Sequence, residues 1–211
     1  MADRISQPPG TASSAIGTSP FHVKGLVYIR TRGYFDAYVP GGFRALIESM
    51  PDPALRAFIS QQFLAMRWYD ALPVEPLVRA EAARTHQTVS AYLKKRAGWQ
   101  AEEDIKSVYS LLLRIASPER VANHLPRLMS QIVDFGVLTV EPGPTGGVVM
   151  RMRGMPALLV PWYQGGFAAY AERALLLAGA KKVAYDITVS PPSGEQAGVT
   201  LVDLVVSLRW F

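Results

Sequence analysis

The stretch WYQGGFAAYAERALLLAGAKKVAYDITV, Trp162 to Val189, constrains the fold more than any other because it spells a helix, its stop and a strand in succession. Phe167, Tyr170, Ala171, Ala174, Leu177 and Ala178 recur at helical spacing, which gives Trp162 to Ala178 one apolar face. Gly179 ends that helix. Val183, Tyr185, Ile187 and Val189 then alternate with Lys182, Ala184, Asp186, Thr188 and Ser190, the period of a strand with one buried face. The helix is expected to lie on that face. The Gly165-Gly166 pair at its start allows another backbone, or a ligand, to approach closely.

Upstream of Asp134 the chain reads as helices. Phe21 to Arg30 (FHVKGLVYIR) is the exception, since its β-branched and aromatic content favours a strand, although the run is short enough for a buried helix. FRALIESM forms a short helix ended by Pro51, and Pro53 opens another whose apolar face is Leu55, Phe58, Ile59, Phe63 and Met66. Ala71 to Lys95 is a further helical region with His86 in its polar middle. Ala101 to Ala116 has the strongest pattern, with Glu102, Glu103 and Asp104 at the positive end of the dipole and Ile105, Val108, Tyr109, Leu112 and Ile115 in its stripe. Ser117 and Pro118 start a helix running to Val133, which Pro126 should kink or split.

After Asp134 the period changes. Val137 to Glu141 and Val148 to Arg153 read as a hairpin with Met150 and Met152 on one face and Arg151 and Arg153 on the other. The last strand carries Thr200, Val202, Leu204, Val206, Leu208 and Trp210 on its core face, and PPSGEQAG before it is a loop. The fold class is therefore α+β: an N-terminal helical half, residues 21–134, packed on a C-terminal four-stranded antiparallel sheet in β-β-α-β-β order, residues 135–211. Residues 21–211 read as a single domain behind a flexible tail, residues 1–20.

Composition narrows the function classes. The absence of cysteine removes disulfides, Cys-ligated metal and a thiol nucleophile, and agrees with a cytoplasmic location. No apolar run approaches the ~20 residues of a membrane span, and the first residues lack the apolar core of a signal peptide. The net charge of +5 comes from 22 basic and 17 acidic residues that are scattered except at Lys94-Lys95-Arg96 and Lys181-Lys182. Such a surface is solvated, with helix C-terminal cations, and is not gathered for nucleic acid.

No G-x-S-x-G elbow, H-E-x-x-H, P-loop or G-x-G-x-x-G after a strand occurs, and Gly25, Gly33, Gly41-Gly42 and Gly146-Gly147 read as turns. His22, His86 and His124 are too scattered for a zinc site. Glu102, Glu103 and Asp104, being consecutive, point in different directions on a helix and do not converge on a cation. No set of residues proposes a nucleophile, base or metal, so no catalytic residue and no cofactor are expected. Glu172 and Arg173 on the polar side of the Trp162 helix pair locally or mark a partner surface. What stands out is a store of large side chains: Tyr109, Leu113, Phe135, Trp162, Tyr163, Phe167 and Tyr170. They either fill the core or line a pocket for an apolar small molecule between helices and sheet, with Tyr hydroxyls and the Trp N–H as orienting groups.

FHVKGLVYIR, RWYDALPVEPLVRAEA, EEDIKSVYSLLLRIASPERVANHLPRLMSQIVDFG and GGFAAYAERALLLAGAKKV together resemble an uncharacterised protein family abundant in myxobacteria, over nearly the whole chain after the tail. More distantly, the Lys24-Gly25 pair, the helical half and the β-β-α-β-β end are similar to the fold shared by haem nitric-oxide/oxygen-binding domains, vinyl-4-reductase-type domains and a Golgi tethering subunit. That resemblance implies a hydrophobic ligand held between helices and sheet, and often a dimer. Haem members carry a proximal His before the hairpin and a Y-x-S-x-R motif for the propionates. Here His124 stands in that part of the chain, while RMRGM and VPWYQGG occupy the place of the motif. The expectation is a non-enzymatic, cytoplasmic small-molecule-binding or sensory module with a protein partner, as a homodimer. The alternatives are an interaction or scaffold protein with a solid core, and a haem-based gas sensor.

Overall fold

The computed structural model describes residues 15–104, 117–144 and 146–211. Phe21 to Arg30 divides where a uniform strand was expected: β1 is only His22–Lys24, paired antiparallel with β2 (Trp68–Asp70), and Gly25–Tyr38 is the helix α1. The cause is tertiary. A Cβ on Gly25 would stand 2.3 Å from the Leu64 carbonyl oxygen and 2.8 Å from the Tyr69 ring. Gly25 is thus a point of close packing at the helix start rather than a turn, and burial of Tyr28 and Phe35 on α1 overrides strand propensity. The stretch read as a tail is held at its end, because Asp70 accepts hydrogen bonds from the Gly17 and Ser19 amides and from Ser19 Oγ.

Helices α2 (Gly42–Ser49) and α3 (Pro53–Ser60) follow, the second capped by Asp52, which accepts from the Ala54 and Leu55 amides. The apolar face projected beyond α3 does not continue: Phe63 stacks on Tyr28 at 4.4 Å and Met66 is exposed. The next helical region breaks into α4 (Val74–Arg84) and α5 (Val89–Asp104), with His86 between them at a left-handed φ of 54°. Glu102, Glu103 and Asp104 therefore lie more than three turns into α5, and not at the positive end of a new helix. Glu102 instead accepts from Arg173 Nη2 at 2.7 Å. The rest of that expected helix, residues 105–116, lies outside the described residues. Helix α6 (Pro118–Ile132), capped by Ser117, passes through Pro126 unsplit. Pro126 sits off the row formed by Val121, Ala122, Leu125 and Met129, so those buried contacts hold the helix across the missing hydrogen bond.

The sheet comprises β3 (Val137–Pro142), β4 (Gly147–Pro156), β5 (Val183–Val189), β6 (Gly194–Gln196) and β7 (Val199–Trp210). Its order is β3-β4-β7-β5, antiparallel throughout, and these are the four strands that the alternation predicts. β6 lies within PPSGEQAG and pairs with the first residues of β7; three exposed residues carry no alternation by which to recognise a strand. Met150, Met152, Leu204, Val206 and Leu208 form the buried face. β5 is an edge strand and its inner face is only partly covered, leaving Tyr185 and Val189 exposed where a buried face was expected.

The chain crosses from β4 to β5 through one helical passage of changing pitch. A 3₁₀ turn at Ala157–Leu159, an α turn at Val160–Trp162 and a π turn at Tyr163–Phe167 lead into α7 (Ala168–Leu177), with Gly179 beyond it at φ 103°. A Cβ on Gly165 would meet Leu93 Cβ at 2.8 Å, so this glycine brings the π turn against α5. No helix among the described residues is long and apolar enough to cross a membrane.

Candidate functional site

A cavity of about 130 Å³ opens where α1, α5, α6 and the π turn converge. Leu26 and Val27 reach it from the first turn of α1, and Leu125, Leu128, Met129 and Ile132 from one face of α6. The π turn and α7 supply Trp162, Tyr163, Gly166, Phe167 and Tyr170. Tyr163 and Phe167 lie stacked at 4.8 Å. An added Cβ on Gly166 would meet nothing nearer than Trp162 Nε1 at 3.9 Å, so the space beside it is open. Four of the residues singled out in the sequence, Trp162, Tyr163, Phe167 and Tyr170, are brought together here. Phe135 is not: it packs edge-on to Phe21, 6.0 Å between rings, in the core beside β1. Tyr109 and Leu113 fall outside the described residues.

The polar lining comes from α5, which adds Arg96 and Gln100 alongside Ala97. Arg96 is 5% exposed and corrects the view of Lys94-Lys95-Arg96 as a solvated run. Val89, Tyr92, Leu93, Arg96 and Ala97 follow i, i+3, i+4, i+7, i+8 spacing, so the guanidinium belongs to the apolar face of α5. That spacing was the available signal for it. Arg96 Nη1 donates to Thr31 Oγ1 and stands 3.9 Å from Glu81 Oε2. Glu81 is fully buried, and desolvation pushes its carboxyl up to about 7, although Arg96 and Tyr92 both act to lower it. The Tyr92 hydroxyl leans on the same carboxylate without reaching full hydrogen-bond geometry.

Arg96 Nε and Tyr163 Oη are buried with no hydrogen-bond partner among the described residues. Burial also pushes the Tyr163 hydroxyl well above the ordinary tyrosine range, so it remains a neutral O–H donor. Glu172 and Arg173 do not reach the cavity; they pair locally with α5, through Lys94 at 3.9 Å and Glu102.

A helical layer lies over an antiparallel sheet, with an apolar cavity among its helices and a few polar residues in the wall. Solved structures share this architecture. The Fe(II) unliganded H-NOX protein from K. algicida matches 89% of this chain and 96% of its own, with a TM-score of 0.59 at 11% identity. A variant of the H-NOX from T. Tengcongensis gives 0.60 at 11% identity, covering 89% and 97%. The S. oneidensis H-NOX protein in its Fe(II)NO state gives 0.57 at 10%, covering 88% and 99%. The chain has an H-NOX-like fold. No protein-family profile and no curated protein matches the sequence.

The residues present do not fit the haem that this fold implies. His124 is exposed and its Nδ1 is bonded to the Arg120 carbonyl at 2.9 Å, while Leu125, Leu128 and Met129 of the same helix face the cavity. His22 Nδ1 is engaged by Asp134 at 2.6 Å, and His86 is exposed between α4 and α5. No histidine lines the cavity, Y-x-S-x-R is absent from the sequence, and a porphyrin is several times larger than the space the described residues enclose. Among the described residues, no group of three His, Asp or Glu side chains converges for a metal.

Proposed function

We propose that this chain is a non-enzymatic sensory module that holds a compact apolar molecule, other than haem, between α1, α5, α6 and the π turn. The observation that carries this is the cavity's position. It is walled on one side by the helical half and on the other by the passage joining β4 to β5, so an occupant bears on both halves at once. Such a ligand biases how the two halves sit, which is what a sensor must pass to a protein partner. The chemistry of the wall supports binding without turnover: Arg96 is permanently charged, the Tyr163 hydroxyl stays protonated, and Gln100 does not titrate. The H-NOX-like fold agrees with a ligand-binding role.

Thermal melts of the purified chain with toluene or indole test the reading. At about 100-fold excess over Kd the melting temperature is expected to rise by roughly 5 °C or more, and Gly166→Leu, which fills the space, should abolish that rise. Native mass spectrometry should in addition find a small molecule carried through purification. If no apolar probe shifts the melt and the protein is bare, the reading fails and a solid-core interaction protein takes its place.

A further inference from the structure

The turn that leads into β2 is ordered and apolar at once. Leu64, Met66 and Trp68 fall within five consecutive positions and all stand exposed, and Met66 at 73% is the most exposed large apolar side chain among the described residues. Hydrogen bonds hold them there. The Leu64 amide donates to Tyr69 Oη at 2.9 Å and the Arg67 amide to the Leu64 carbonyl at 3.1 Å, while the Gly25 and Leu26 amides of α1 donate to the Arg67 and Ala65 carbonyls. Lys24 Nζ donates to the Met66 carbonyl at 2.9 Å and stands 3.6 Å above the Trp68 ring, so a cation, the tip of the turn and an indole form one cluster.

Positive charge gathers at the same corner. Neither residues 21–35 nor residues 53–69, the two segments that meet here, contain an Asp or Glu, whereas together they carry Lys24, Arg30, Arg32, Arg56 and Arg67. The carboxylates that contact β1 and β2 are occupied: Asp70 is buried, and Asp134 is paired with His22. The result is an apolar tip with its carbonyls already bonded and with Lys24 and Arg67 beside it. A protein interface relies on about one hydrogen bond per 100–200 Å², and the bonded main chain of this turn offers little toward that. A lipid surface asks for what is present: carbonyls satisfied within the chain, because acyl chains supply no donors, a Trp beside a cation at headgroup depth, and basic side chains for phosphate. We infer that residues 64–68 are a peripheral anchor for an anionic lipid surface. Leu64, Met66 and Trp68 enter its interfacial layer, and Lys24 and Arg67 lie against the headgroups. This role is independent of the cavity and of what fills it.

Co-sedimentation of the full chain with phosphatidylcholine vesicles containing about 30% phosphatidylserine, against vesicles of phosphatidylcholine alone, tests it. Binding to the anionic vesicles is expected to be about tenfold or more stronger, with a blue shift of tryptophan emission that Trp68→Phe removes. Met66→Asp changes an exposed side chain and leaves the backbone bond to Lys24 in place, so it should melt with the parent. It should bind about tenfold or more weakly, and Arg67→Glu should lose a similar factor. Phe211→Asp, equally exposed but at the end of β7, should bind as the parent does. No sedimentation with anionic vesicles overturns the anchor and leaves the patch to a protein partner. Sedimentation undiminished in Met66→Asp also overturns it, since the attraction is then charge alone. So does an equal loss in Phe211→Asp, which would mean that any exposed apolar side chain serves.

Discussion

Glu81 and Arg96 meet where water does not reach, and that makes the fold sensitive to pH through one side chain. The folded state keeps a proton on Glu81 up to about 7, whereas the unfolded chain releases it near the ordinary value of 4.5. The contribution of Glu81 is therefore fully present below about 4.5 and is lost as pH rises toward 7, an effect of the order of 3 kcal/mol. Urea unfolding at about pH 5 and about pH 8 should show this loss in the parent, and Glu81→Gln should flatten it. A slope unchanged in Glu81→Gln would assign the dependence to other groups. Neither residue was legible as part of a site. Glu81 sits among ordinary helix residues, and Arg96 ends a run of three cations whose first two face solvent. Composition conceals a buried guanidinium that helical phase reveals. The aromatic members of the site were legible because Trp162, Tyr163, Phe167 and Tyr170 crowd into nine positions.

At the scale of elements, the contact of α5 with the π turn is a tight join beside the cavity. Leu93 packs onto Gly165 with no room for a methyl, the added Cβ falling 2.8 Å from Leu93 Cβ and 2.9 Å from its Cδ1. Gly165→Ala should cost roughly 1–3 kcal/mol by overpacking. In a Leu93→Gly background, where both Leu93 Cβ and Cδ1 are removed, the same change should cost close to nothing, so a double-mutant cycle in urea measures the coupling directly. Equal costs in both backgrounds would place the strain in the backbone. Elements with a clean period were legible from sequence: α2, α6 and β7 stand within a residue or two of expectation. The divided ones were not. β1 gives way to α1 because of what Gly25 touches in residues 64–69, and α4 breaks from α5 at a histidine, a residue type with no strong turn preference. The π turn is likewise invisible to a pattern search tuned to 3.6 residues per turn.

For the molecule as a whole, Asp70 links the start of the described chain to the helical half. Besides Gly17 and Ser19 it accepts from the Leu72 amide, and it is 3% exposed. Asp70→Ala should strip those donors of their partner, lower stability by about 2–4 kcal/mol and open residues 15–20 to limited proteolysis. Cleavage there at the parent's rate would refute that anchoring role. The layered α+β architecture was legible because the shift in period at Asp134 is abrupt and β7 alternates over twelve residues. The cavity was not, since Leu26, Arg96, Leu125 and Gly166 converge from four distant points in sequence. β7 has one more consequence, which concerns synthesis. It pairs with β4, β5 and β6, yet it is the last strand to emerge from the ribosome. Until residues 199–210 clear the exit tunnel, the β3–β4 hairpin and β5 share no partner, and their edges stay open to mispairing.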